Sequence, residues 1–162
     1  MIKRSYSQKL DVIYVFKKSK NEISLAEVGK YPKLFYGFFE IKKSLNISFI
    51  DATEERDRLS YINKAIRVFK SKLGISESFP YFSSETINKM NKAKVIYATT
   101  DSLALSLANL KKNYILKAKL VVNLMALFDN LTYLNKIKYL DYVDRIIVFT
   151  FPLATKLKEL GY

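Results

Sequence analysis

Apolar positions along the chain fall into short continuous runs that alternate with stretches at helical spacing. Residues 11–16 (DVIYVF) are an unbroken β-branched and aromatic run, the pattern of a strand covered on both faces. After a polar loop with Gly29 and Pro32 near its end, Leu34, Phe38, Ile41 and Leu45 predict a helix with Lys42 and Lys43 turned outward. Residues 47–51 (ISFID) predict a second strand. Leu59, Ile62, Ile66, Phe69 and Leu73 mark one stripe of a long helix, with Gly74 at the C-cap position. Residues 79–82 (FPYF) predict an aromatic loop and 84–90 a short helix. A third strand at 95–98 (VIYA) leads into a helix at 102–110 that is apolar almost all round and therefore buried. A fourth strand at 120–124 (LVVNL), a helix over 131–142, a fifth strand at 145–149 (RIIVF) and a final helix at 152–160 complete the order.

Short apolar strands alternating with helices predict an α/β domain: a parallel sheet of about five or more strands, helices on both faces, right-handed crossovers. The length suits a single domain over residues 1–162, and there is no internal repeat or low-complexity segment. Sheets of this kind bind ligands beyond the C-terminal ends of their strands. Here those ends are 16–18, 51–53, 99–101, 123–125 and 150–151.

Composition narrows the chemistry. The chain has no Cys and no His, which removes disulfides, thiolate zinc sites, cysteine nucleophiles, imidazole bases and His-ligated metals. With four Gly there is no glycine-rich phosphate cradle. What remains is carboxylates, hydroxyls, amides, Lys, Arg and backbone N–H groups. Lys and Arg number 28 against 15 Asp and Glu, a net charge of +13 that attracts phosphates, anionic lipid or nucleic acid. Richness in Lys, Ile, Asn and Tyr is also what an AT-rich genome produces. No run approaches the ~18–20 apolar residues of a membrane span, and 12–16 is too short for a signal-peptide core, so a cytoplasmic protein is expected. Contact with the inner face of a membrane stays open.

The strand ends supply the candidates. Thr99, Thr100 and Asp101 close the third strand and open the buried helix, where hydroxyls and N–H groups suit an anion or sugar hydroxyls. Capping of that helix by Thr100 or Asp101 is the competing reading. Asn123 interrupts an apolar strand and needs partners, a backbone group or a ligand hydroxyl. Asp129 follows, as a site residue or an N-cap. Arg56, Lys64, Arg67 and Lys70 form the basic face of the long helix, beside Phe79, Tyr81 and Phe82. That pairing suits an anionic membrane surface or stacked single-stranded nucleic acid, or else a solvated helix with its aromatics in the core. Glu77 and Glu85 stand in an E-x7-E spacing that reads as coincidence, and there is no DxD.

The order of segments resembles the N-terminal Rossmann-like domain of GT-B glycosyltransferases, most like family 4, over nearly the whole chain. DVIYVF, VGKYPKLFYGFFEIKKSL and NISFID match its first strand, glycine-containing loop with helix, and acid-ended strand. AKVIYATTDSLALSLANL is similar to its "aDVIhahs" strand and helix, and AKLVVNLMALFDNL to its "pvVvtvHgl" strand and loop. VDRIIVFTFPLATKLKELG is similar to "aDriIvvSpaqaekLkelG", the most specific of the matches. The family often has a Gly-Gly pair where this chain has Gly29-Lys30, and a His where it has Leu124-Met125.

The resemblance implies the acceptor-binding half of a GT-B glycosyltransferase, hexosyltransferase-like and retaining. It would transfer a sugar from a nucleotide sugar to a membrane-associated or glycan acceptor. The chain ends about where the family's linker to its donor domain begins. The expectation is therefore that the donor domain is absent, and that this half is inactive without it or a second chain. No cofactor is expected, the nucleotide sugar being a co-substrate held by the other domain. Carried over by position, the cleft would be lined by Gly29, Lys30, Thr99, Thr100, Asp101, Asn123 and Asp129, with Asp101 and Asp129 as candidate catalytic carboxylates and no metal. The alternative is a non-catalytic basic module that binds nucleic acid, anionic lipid or an acidic partner; nucleic acid ranks below the others, since no nucleic-acid motif is present.

Overall fold

A computed structural model describes residues 10–17, 24–25, 28–29, 37–53, 82–127 and 136–162. Its centre is a five-stranded sheet of β1 (Val12–Phe16), β2 (Ile47–Asp51), β3 (Val95–Ala98), β4 (Lys119–Leu124) and β5 (Arg145–Val148). All pairings are parallel, in the order β2-β1-β3-β4-β5. The helices are α1 (Phe38–Ile41), α2 (Ser84–Met90), α3 (Asp101–Lys112) and α4 (Phe151–Glu159), with a 3-10 helix at Ile137–Tyr142. The expected Rossmann-like α/β architecture is present.

The unbroken apolar run of β1 is explained by its two faces. Ile13 and Val15 join a cluster with Ile96, Ala98, Leu120, Val122 and the apolar side chains of α3. Tyr14 and Phe16 point the other way and pack with Phe38 of α1. Tyr14 meets Phe38 and Tyr97 edge-on, at 5.3 and 4.9 Å between ring centroids, the geometry that ring quadrupoles favour. Residues 101–108 of α3 are all buried, because the helix lies against β3 and β4 on one side and the 3-10 helix on the other.

Three expectations change. The helix over Leu34–Leu45 is, within the described residues, the single turn α1. Gly37 precedes it with φ at 76°, a left-handed conformation suited to glycine. The chain then tightens into i→i+3 bonds (Lys43 N–H to Glu40 O, 3.3 Å; Ser44 N–H to Ile41 O, 3.0 Å) and turns into β2. Only Phe38 of that stripe is buried among the described residues; Ile41 and Leu45 are exposed. The end of the expected 131–142 helix is 3-10 rather than α. Phe82, expected on a basic-aromatic surface, is 4% exposed and belongs to the main buried core. The long helix at 59–73, with Arg56, Lys64, Arg67 and Lys70, lies outside the described residues, as do Phe79 and Tyr81.

Two carboxylates staple the N-terminal edge of the sheet. Asp11 accepts from the Asn46 N–H at 3.1 Å and from Lys94 Nζ at 2.7 Å, joining the starts of β1, β2 and β3. The Lys94 hydrogen bond, then that of Asn46, holds the Asp11 carboxyl below its usual range. Asp144 accepts from the Leu120 N–H at 2.7 Å and from Lys111, joining β4, β5 and α3. Burial works against ionisation of Asp144, but the Leu120 and Lys111 hydrogen bonds outweigh it and hold the carboxyl low. At the C-terminus, Gly161 with φ at 88° ends α4, and the Tyr162 N–H reaches back to Leu157 O at 3.0 Å. The Tyr162 hydroxyl donates to Asp141 at 2.8 Å; burial first, then that acid, pushes it up to about 12.

Candidate functional site

The C-terminal ends of the five strands form one edge, and the sheet order changes direction between β1 and β3. In doubly wound sheets the crevice at such a switch is where ligands sit. The residues there are largely engaged with one another. Thr99 extends the β3 ladder: its N–H and its Oγ1 both donate to Val15 O, at 3.3 and 3.0 Å. Lys17 Nζ donates to Ser102 Oγ in the first turn of α3. Asp51 Oδ1 accepts from the Thr53 N–H at 2.8 Å.

Asp101 does not act as a capping acid or stand free as a base. Oδ1 accepts from the Met125 N–H at 2.8 Å and Oδ2 from the Ala126 N–H at 3.0 Å. A buried carboxylate that accepts two backbone donors is a clamp, and this one fixes the loop after β4 against the start of α3. Thr100 occupies the N-cap position of α3 with its backbone alone: Thr100 O accepts from the Ala104 N–H at 2.9 Å, and its hydroxyl, itself buried, has no partner.

Asn123 stands out. It is 0% exposed, and neither its amide oxygen nor its amide nitrogen has a hydrogen-bond partner. It faces Ile147 across the β4–β5 ladder. An unpaired buried amide costs about 1–3 kcal/mol, so its presence in an apolar strand calls for a reason beyond packing. Two residues further on, the chain lines a cleft of about 340 Å³. Its walls are Met125, Ala126 and Leu127 after β4, with Thr150, Pro152, Leu153 and Lys156 from the start of α4. The Asp101 clamp therefore shapes one wall of this cleft. Phe151, 84% exposed, stands next to it in sequence.

The strand-end candidates thus do not form one open wall. Thr99 and Asp101 are buried and satisfied, while Thr100 and Asn123 carry unsatisfied polar atoms. Gly29 lies in an exposed turn, where a Cβ would meet nothing within 4 Å, so no close backbone approach marks it. Lys30 and Asp129 lie outside the described residues. Lys156, Pro152 and Leu153 were not singled out by the sequence reading. Their signal was a helix opening with Pro directly after a strand end, which puts Lys156 a turn and a half inside it.

Comparison of the chain with protein-family models, with curated proteins and with solved structures finds no match. Among the described residues, no group of three or more acidic, His or Cys side chains is placed to hold a metal ion. No described helix is long and apolar enough to cross a membrane.

Proposed function

We propose that this chain is the acceptor-binding half of a GT-B-type glycosyltransferase, with the β4–β5 cleft as the place where the acceptor sugar is held. The observation that carries the reading is the cleft itself, beyond the C-terminal ends of β4 and β5 and to one side of the β1/β3 switch, with the unpaired Asn123 amide two residues before its wall. Met125 and Pro152, with a little of Leu153, offer apolar surface to a pyranose face. Thr150 offers a hydroxyl, and Lys156 a cation for a phosphorylated acceptor. The work of this half is positioning: it presents an acceptor hydroxyl to a sugar nucleotide held by a donor-binding domain or second chain. Retention of configuration and transfer of a hexose follow from the family likeness. Asp101 becomes a positioning residue in this reading, since both its oxygens are occupied by N–H groups.

That same occupancy favours a second reading, a binding module without catalysis, because it removes one of the two candidate bases. One experiment separates them. Saturation-transfer NMR of the chain with p-nitrophenyl hexosides and with hexose phosphates reads direct binding. The glycosyltransferase reading expects binding of at least one hexoside or phosphate, weakened about tenfold by Lys156→Ala for the phosphorylated ligands. Absence of any carbohydrate signal from the folded chain overturns it in favour of the module.

A further inference from the structure

The N-terminal edge of the sheet, opposite the cleft, gathers charge from four separate parts of the sequence. Residues 42–46 lead into β2, 91–94 into β3, 111–119 into β4 and 143–145 into β5. They carry two, two, four and one cations respectively, nine in all, against the two edge carboxylates Asp11 and Asp144. Each of those carboxylates already has its own lysine, Lys94 or Lys111. Parallel pairing puts all these segments on one edge, tied by backbone bonds from Asp11 to Asn46, Lys94 to Leu10, Lys119 to Lys94 and Asp144 to Leu120 at 2.8–3.1 Å.

Helix dipoles favour lysines at helix C-termini, which accounts for Lys111 and Lys112 at the end of α3. They do not account for Lys92, Lys117, Lys119 or Arg145, exposed residues outside any helix. Between these cations the loop 113–117 thrusts out two apolar side chains. Tyr114 is 88% exposed and Ile115 is exposed beside it, while Leu116 is buried and anchors the loop. The loop is fixed from the side as well: Asn91 donates to Ile115 O at 2.9 Å and accepts from the Lys117 N–H at 2.7 Å. Tyr114 has φ at 59°, a conformation that favours glycine, so the fold holds a large side chain where a small one is easier.

We propose that this edge is a docking surface for an anionic lipid bilayer. Lysines set around Tyr114 and Ile115 match an interface where ammonium groups meet phosphate headgroups and the apolar tips enter the acyl boundary. Eight of the nine cations are Lys, and Arg145 is the one guanidinium fork. Among the described residues a single exposed tyrosine beside Ile115 offers little to stack on, so the surface fits a bilayer better than single-stranded nucleic acid. It is distinct from the basic helix face expected from the sequence, and it does not depend on the glycosyltransferase reading.

The test is co-sedimentation of the full chain with phosphatidylcholine vesicles, with and without one quarter phosphatidylglycerol, with no sugar or nucleotide present. The chain is expected to bind only the anionic vesicles, less at high salt. Lys117→Gln with Lys119→Gln is expected to weaken partitioning about twentyfold, near fivefold per lysine. Tyr114→Gly, which relieves the backbone, is expected to weaken it while leaving the chain folded. Ser84→Glu with Thr155→Glu removes the same two units of charge away from this edge and is expected to change binding less than twofold. Equal binding to neutral vesicles overturns the proposal. So does an equal loss from the two double variants, or tighter binding to a single-stranded oligonucleotide than to the anionic vesicles. Carbohydrate binding in the NMR experiment above is independent of every one of these outcomes.

Discussion

At the C-terminal end of the sheet the described acids Asp51 and Asp101 are buried and Lys17 bonds Ser102, while Lys156 is exposed on the cleft wall. At the N-terminal end nine cations of the described residues lie in the segments leading into β2, β3, β4 and β5, and Asp11 and Asp144 among them are partly open to water. Both ends use the same device, a carboxylate that accepts backbone N–H groups from a neighbouring strand's loop. The difference is burial. Asp101 is shielded and shapes a cleft; Asp11 and Asp144 tie the edge together and leave its outer surface to lysine. One parallel sheet thus separates the proposed recognition end from the proposed docking end, because parallel strands put all their starts on one side and all their ends on the other.

The contrast in burial sets the order of expected effects. Asp101→Ala orphans two N–H groups in a shielded site and is expected to lower the unfolding free energy by about 3 kcal/mol in urea titration. A loss as small as that of an exposed pair would erase the distinction between the ends. Asn123→Leu removes an unpaired amide from the interior and is expected to raise stability by about 1–2 kcal/mol while weakening carbohydrate binding. Unchanged binding would make Asn123 a packing residue with no part in the cleft beside it. Asp144→Ala, at a half-exposed pair, is expected to cost about 1 kcal/mol. The N-terminal staples also give an acid limb. Asp11 and Asp144 have folded values below the ordinary 3.8, so their stabilisation is present above that value and is lost as pH falls through the folded one. Tyr162 runs the other way: its contribution is present below its ordinary 10 and is lost as pH rises through about 12. Tyr162→Phe is expected to remove that alkaline limb at a cost of about 1 kcal/mol, readable from melting curves at pH 8 and pH 11.

The strands were legible because each is a short apolar run, covered on both faces in β1, and β2 and β3 match the sequence reading residue for residue. α1 was not, because a left-handed Gly37 and an early turn into β2 override an apolar spacing that continues to Leu45. Phe82 sits in a run whose composition fits a surface or a core equally, and only its place in the buried core decides it. The role of Asp101 depends on N–H groups 24 and 25 residues away, which local pattern does not contain. The basic edge escaped notice for the same reason. Lys42, Lys92, Lys117 and Arg145 belong to four different loops, and only the parallel sheet order makes them neighbours.

The separation of the two ends is tested most directly by amide NMR of the full chain, titrated first with the tightest-binding hexoside or hexose phosphate and then with anionic bicelles. The account predicts that the sugar moves Met125, Ala126, Leu127 and Leu153, and that the bicelles broaden Lys92, Tyr114, Ile115 and Lys117. Coincident sets, or bicelle broadening confined to the cleft, would contradict it.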